Sequence, residues 1–430
     1  GTLVFSGLNA AVTDFILNTD LETNDLSDVF KILSSPALQI TQAAFINPDN
    51  VSGRGKANFR LTFPMKGGPI DPADVRVSVI ADVENVDLSH YLIDALNIQS
   101  AAAHLELTEQ EMHLTGTGKM RTGDMNFTLY QAFTNTPAVV TDLKASAVLT
   151  DEARADLNID LLNPPNAAGG IPADFALQFF NDKTGKATVA LDLTPADIDL
   201  GVVGWKKAAG VQGKGRAELL FSDCDFAAVP MIELTDALKT KIRAKIGFSA
   251  SHTLKRIDID PISTGRTYAK ARARFLKNSV RIDVTGAALD WAALMKTSTP
   301  EKRARSESTD STETTAFPTV VINAALDKIW LSETGGLDNN GFAGIYSDSG
   351  WRKMDAAGSI GEKQVPLRFS LSPTNSPDEY TFALSSQDAG YALKVLNYIS
   401  TVKGGTLQVK GTYSPHNGTK GLLEVKDFYL

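Results

Sequence analysis

Apolar and polar residues alternate with a period of two along most of this chain. In residues 75–83, Val75, Val77, Val79, Ala81 and Val83 occupy the odd positions, and the even ones are mostly polar. The same alternation recurs in 155–161, 187–193, 254–260, 268–275, 280–284, 365–371, 406–411 and 423–428. Period two sends successive side chains to opposite faces of a strand, and it marks strands buried on one side only. Strands of a parallel sheet covered on both faces read instead as continuous apolar runs. The pattern predicts antiparallel sheet, with roughly 20–25 strands at the usual length of about 5–6 residues.

Turn chemistry punctuates these segments. Gly53 and Gly55, the run Lys66-Gly67-Gly68-Pro69, residues 181–185 and Asn417-Gly418 all read as turns, with glycine supplying positive φ. Helical spacing is scarce. Leu26, Val29, Phe30 and Leu33 form one stripe, predicting a helix near 26–34 that stops before Pro36. Leu88, Tyr91, Leu92 and Leu96 predict a second near 87–97. Tyr391, Val395, Tyr398 and Ile399 predict a third near 387–399, and a single turn is expected after Asp290. Residues 299–316 have a basic head, a Ser/Thr/Glu tail and almost no apolar residue. Such a segment cannot bury enough surface to offset its ordering entropy, so a disordered loop is expected there.

Composition narrows the classes. The 430 residues are 43% hydrophobic and 21% charged, a globular balance, with a net charge of −8 that argues against nucleic acid as a partner. One cysteine, Cys224, excludes an intrachain disulfide framework and a multi-cysteine metal site. No apolar run is long enough for a membrane-spanning helix, and the chain opens on Gly1 rather than Met. We expect a section of a longer protein, truncated at both ends.

Catalytic chemistry finds no foothold. The five histidines, His90, His104, His113, His252 and His416, form no metal-binding motif, although His104 and His113 flank one turn of an expected hairpin. Asp348-Ser349-Gly350 lacks the glycines of a nucleophile elbow. Gly116-Thr-Gly118 and the Gly210–215 region miss the spacing of phosphate-binding loops and adjoin strands. Asp156, Asp160, Asp258 and Asp260 fall on outward strand positions, as a solvated face would. No catalytic residue, metal or cofactor is expected, and the chain reads as a non-enzyme.

Several longer strings carry more information. Leu191-Asp-Leu-Thr-Pro-Ala-Asp-Ile-Asp199 leads into Gly204-Trp205-Lys206-Lys207, and Val284-Thr-Gly286-Ala-Ala-Leu-Asp290 follows a strand. Ser385-Ser-Gln-Asp-Ala-Gly390, Gly404-Gly405-Thr-Leu-Gln-Val-Lys-Gly411 and Gly421-Leu-Leu-Glu-Val-Lys-Asp-Phe428 close the chain. In this order and spacing, from about Val51 to Leu430, they resemble the AsmA-like family of Gram-negative envelope proteins, on the branch that includes YhdP and is related to TamB. The resemblance implies an elongated, curled antiparallel β-sheet with a few short helices, forming an open hydrophobic groove for phospholipid acyl chains. It also implies a periplasmic location, anchoring to the inner membrane through a segment absent here, and movement of phospholipid toward the outer membrane. Envelope protein partners are left open.

On this expectation residues 1–298 form one continuous β-groove section, and 317–430 continue it beyond the 299–316 loop. The groove-lining candidates are Val75, Val77, Val79, Leu157, Ile159, Leu161, Val189, Leu191, Ile257, Ile259, Ile282, Val284, Leu407, Val409, Leu423 and Val425. An ordinary filled β-sandwich core accounts for the same alternation. The competing function is a structural scaffold of the cell envelope that assists outer-membrane proteins by β-strand pairing.

Overall fold

Every alternating segment that is described throughout is largely strand. The computed structural model describes residues 1–430 apart from 9–11, 34–46, 67–70, 72–73, 90–96, 122, 158–161, 163, 224, 250–252, 293–317, 334, 348–349, 377 and 415–417. The chain is all-β with three short helices among these residues, and its strands form open antiparallel sheet rather than a closed barrel. Its contacts divide it into two units, 1–197 with 214–227 and 198–213 with 228–430, a division placed elsewhere than the 299–316 segment. That segment lies outside the described residues.

The first unit is built from β1 (Thr2–Ser6), β2 (Thr13–Thr23), β3 (Val51–Met65), β4 (Arg76–Leu88), β5 (Ile98–Thr108), β6 (Glu111–Met120), β7 (Gly123–Ala132) and β8 (Val139–Leu149). A two-residue β9 (Ala167–Ala168) precedes β10 (Ile171–Phe180) and β11 (Gly185–Asp192), and β14 (Gly213–Ser222) completes the sheet. From β1 to β8 each strand pairs with the next, then β8 with β10, β10 with β11 and β11 with β14, all antiparallel.

The second unit begins with a small antiparallel pair, β12 (Asp197–Leu200) and β13 (Trp205–Lys207). Trp205 is buried, and its indole Nε1 donates to Asp236 Oδ2 at 2.6 Å. The main run comprises β15 (Asp225–Asp236), β16 (Lys241–Phe248), β17 (Leu254–Thr264), β18 (Thr267–Phe275), β19 (Ser279–Asp290) and β20 (Thr319–Trp330). It continues through β21 (Gly336–Ser347), β22 (Gly350–Ile360), β23 (Val365–Pro373), β24 (Tyr380–Ser386), β25 (Lys403–Ser414) and β26 (Gly418–Tyr429). Successive strands pair antiparallel with one exception to the expected pattern: β19 and β20 are parallel, with Ser279 opposite Thr319 and Asp290 opposite Trp330. A parallel neighbour requires the chain to return to its starting end between the two strands.

Three helices decorate the sheets. The stripe Leu26, Val29, Phe30 lies on α1 (Leu26–Leu33), where Leu26 is buried against β3. Gly53 makes room for it. This residue was expected in a turn but lies inside β3, at a bulge with φ +133°, and a Cβ there would stand 3.2 Å from Leu26 Cδ1.

The strand expected over 155–161 is overturned at its start, and residues 158–161 lie outside the described residues. Residues Asp151–Asp156 form α2, capped by Thr150, whose hydroxyl accepts from Ala153 N at 3.3 Å, and Leu157 is its C-cap. A capping threonine followed by Asp151 and Glu152 in the first turn outweighs the alternation that follows. The buried Arg154 then fastens the helix, donating to the carbonyls of Leu149 and Leu162 at 2.6 Å and Gly169 at 2.8 Å. Asp156 ion-pairs with Arg121 rather than standing on an outward strand position.

The helix expected near 87–97 is also corrected at its start, since Asp87 and Leu88 end β4; residues 90–96 lie outside the described residues. The third helix, α3 (Ala389–Val395), is capped by Asp388, which accepts from Tyr391 N at 2.9 Å. Its Ala389, Ala392 and Leu393 pack on Leu337, Ile360, Leu367 and Leu407 from four strands.

Candidate binding face

Register turns the alternation of single strands into rows that cross whole sheets. In the first unit, Leu21, Ala57, Ala81, Leu105, Leu114, Leu129, Leu143, Leu177, Ala187 and Leu219 stand opposite one another in turn across ten strands. Every member is leucine or alanine. The adjacent row on the same face runs Thr23, Gly55, Val83, Ala103, Gly116, Phe127, Ala145, Phe175, Val189 and Ala217.

The second unit repeats the arrangement with different residues. Ile232, Ala244, Ile259, Ala271, Val284, Ala324, Phe342, Ala356, Phe369, Leu384, Val409 and Leu423 form one apolar row across twelve strands. From Ile232 to Val409 each of these side chains is half-buried, and Leu423 is exposed. A filled sandwich core would bury them almost completely.

Two glycines on the apolar faces, Gly116 in the first unit and Gly411 in the second, are covered by cross-strand aromatic rings. A Cβ on Gly116 would lie 2.7 Å from the Phe127 ring, and one on Gly411 would lie 2.6 Å from Phe382, each ring belonging to the directly opposed residue. The ring supplies the apolar cover that the glycine lacks, so the row stays unbroken.

The opposite face is polar and charge-paired. One of its rows reads Glu22, Lys56, Asp82, His104, Thr115, Thr128 and Lys144. Lys56 Nζ lies 3.2 Å from Glu22, and His104 Nδ1 lies 2.8 Å from Asp82 Oδ1. The Asp82 hydrogen bond raises the His104 pKa above its ordinary value, burial opposing it, with Glu106 adding in the same direction. His113 shares this face and its ring centroid is 5.0 Å from that of Tyr130. Among the described residues no three His, Cys, Asp or Glu side chains gather as a metal site.

A hollow of about 960 Å³ lies over β6, β7, β8, β10, β11 and β14. One complete polar-face row borders it, Thr117, Asn126, Ser146, Asp174, Ala190 and Arg216, with Thr115, Thr128, Lys144, Ala176 and Thr188 of a second polar-face row and Gly116, Phe127, Ala145, Phe175 and Val189 of the apolar-face row between them. Of these residues only Val189 was among the groove-lining candidates, while Gly116 and Thr117 entered as part of a rejected phosphate-loop motif. The charged groups of the hollow are Lys144, Asp174 and Arg216, and Asp174 accepts from Ser146 Oγ at 2.7 Å.

The candidate lining residues distribute as follows. Val77 and Val79 pack beside the cluster of Leu107, Met112 and Leu129, and Val75 is half-buried just before β4. Val189 and Leu191 lie on the apolar face of β11, while Ile257, Ile259, Ile282 and Val284 lie together on that of β17 and β19. Val409, Leu423 and Val425 lie on that of β25 and β26. Leu407 is fully buried beneath α3 and lines no open surface, because the helix covers that end of β25. Leu157 caps α2 instead of facing a groove. Ile159 and Leu161 lie outside the described residues.

Fold and face define a class of protein: an all-β chain of open, mainly antiparallel sheet whose units each carry apolar rows on one face and polar or charged rows on the other. Scans against family models, curated proteins and solved structures each gave no match.

Proposed function

We propose that this chain is a lipid-transfer protein whose apolar sheet face holds phospholipid acyl chains as they pass between membranes of the cell envelope. The observation that carries this reading is the half-buried apolar row of the second unit, unbroken from Ile232 to Val409. Removing about 30 methylenes of a two-tailed lipid from a membrane into water costs on the order of 20 kcal/mol, at about 0.8 kcal/mol per methylene. A continuous apolar surface offsets most of that cost. Movement along the surface also needs sites of similar affinity, since one deep site would trap its occupant. The row supplies this similarity through repeated Ala, Ile, Val, Leu and Phe without a charged member. The resemblance to AsmA-like envelope proteins supports a periplasmic setting and phospholipid as the cargo.

The test is mass spectrometry of lipid extracted from the purified chain, compared with Val284→Asp. Co-purified phospholipid from the parent, and at least tenfold less from the variant with an unchanged circular dichroism spectrum, is the expected result. Equal lipid in both, or none in either, would overturn the reading.

A second reading, strand addition to an envelope client, is favoured by β26. Among the described residues this strand pairs only with β25, and its Leu422 and Tyr429 are exposed. Crosslinks from β26 to a client protein, without bound lipid, would favour it.

A further inference from the structure

Residues 241–290 carry eleven Lys and Arg against four Asp, a surplus of seven positive charges in a chain whose net charge is −8. Strands β16–β19 direct much of this surplus to one face. Toward one end of these strands, register sets Arg256 opposite Arg274 and Arg274 opposite Arg281, all exposed. Like charges directly opposed destabilise a sheet. Folding alone therefore gives no reason for three arginines in one cross-strand row.

The carboxylates nearby are already engaged. Asp258 lies 2.7 Å from both Arg256 and Arg272, Asp260 pairs with Lys270 at 2.9 Å, and Asp283 accepts from Asn323 Nδ2 at 3.1 Å. Arg274, Arg281, Lys255 and Lys277 have no carboxylate partner among the described residues. At the same end, the turn joining β18 to β19 leaves Leu276 64% exposed, and Leu254 at the start of β17 is 36% exposed.

Free cations around an apolar tip suit one surface above others. Phosphate oxygens accept guanidinium and ammonium donors, while leucine enters the boundary between headgroups and acyl chains. A nucleic acid would engage the cations and leave the leucines in water. We propose that this end of β16–β19 docks onto a membrane surface containing anionic phospholipid. The proposal rests on the charged face and is independent of the acyl-binding row.

Flotation of the full chain with phosphatidylcholine vesicles, with and without phosphatidylglycerol, tests it. Binding only to the anionic vesicles, weakening as salt is raised, is the expected result. The double variant Arg274→Gln/Arg281→Gln should bind about 30-fold more weakly, and Leu276→Ser roughly tenfold more weakly at constant charge. Circular dichroism controls for folding. Val284→Asp should float as the parent does, and the arginine variant should still co-purify with lipid, which separates failure of docking from failure of the acyl-binding reading. Equal flotation on neutral vesicles, or parent-like flotation of both surface variants, would overturn the proposal. So would a chain that ignores vesicles and binds DNA with no loss on Leu276→Ser.

Discussion

At His104 the residue one strand away sets the chemistry. Asp82 stands directly opposite and accepts a hydrogen bond from the ring Nδ1, which favours the charged ring. The His104 titration midpoint, followed by NMR, should therefore lie above the ordinary value of about 6.5 and fall back toward it in Asp82→Asn. Because the folded-state value is raised, the stability this pair contributes is full below the unfolded pKa and fades as pH rises through the folded one. Asp156 works in the opposite sense. The Arg121 side chain lowers its pKa, so its contribution is present above the unfolded value and is lost as pH falls through the folded one. Space is as restrictive as charge at Gly411, where a Cβ would stand 2.2 Å from the Lys420 carbonyl oxygen. Gly411→Val should destabilise by about 1–3 kcal/mol in urea titration, through overpacking against backbone that cannot yield. Neither the histidine pair nor the aromatic cover of a glycine is visible in the linear sequence, since partners such as Phe382 and Gly411 are fixed only by register.

Among elements, strands were the most legible because period two requires no knowledge of the partner. Residues 268–275 and 406–411 alternate in sequence and lie in β18 and β25. The segment 155–161 misled because α2 is only six residues long, too short for a helical stripe to develop, while its cap at Thr150 lies outside the alternating window. The helix α3 was legible through the spacing of Tyr391 and Val395, but its effect on Leu407 was not. A buried helix face and a strand face contribute similar apolar residues to sequence, and only packing joins them. Leu393→Ala should cost about 2–5 kcal/mol because its pocket is closed on the sheet side by Leu337, Leu367 and Leu407. Asp388→Ala should cost about 1 kcal/mol, the usual loss for a helix cap. Thermal or denaturant unfolding would measure both.

Across the whole molecule, what sequence could not supply is which residues share a row. Ile259, Val284, Val409 and Leu423 were all named as candidate lining, yet their membership in a single line follows from nine successive strand pairings. The opposed arginines were hidden for the same reason, since Arg256, Arg274 and Arg281 are ordinary outward positions on their separate strands. Net charge concealed them further, because −8 is the sum of a basic stretch and a strongly acidic remainder. The positive surplus of residues 241–290 therefore stands against a remainder that carries more acidic than basic residues. If acyl chains occupy the apolar rows, loading should be nearly independent of salt, whereas vesicle flotation should weaken steeply as salt screens the arginines. Measuring both across one salt series checks whether the two faces act separately.

The parallel join of β19 and β20 bears on how the second unit assembles. Antiparallel neighbours with short turns can close as hairpins within microseconds and extend strand by strand, each step adding contacts close in sequence. Between β19 and β20 the chain must first bring together residues separated by 291–318, a larger loss of chain entropy before any ladder hydrogen bond forms. Two zippers, β15–β19 and β20–β26, would then nucleate separately, and their meeting would set the pace. Pulsed hydrogen exchange during refolding should find amides within each group protected before those bridging Ile282 and Ile322.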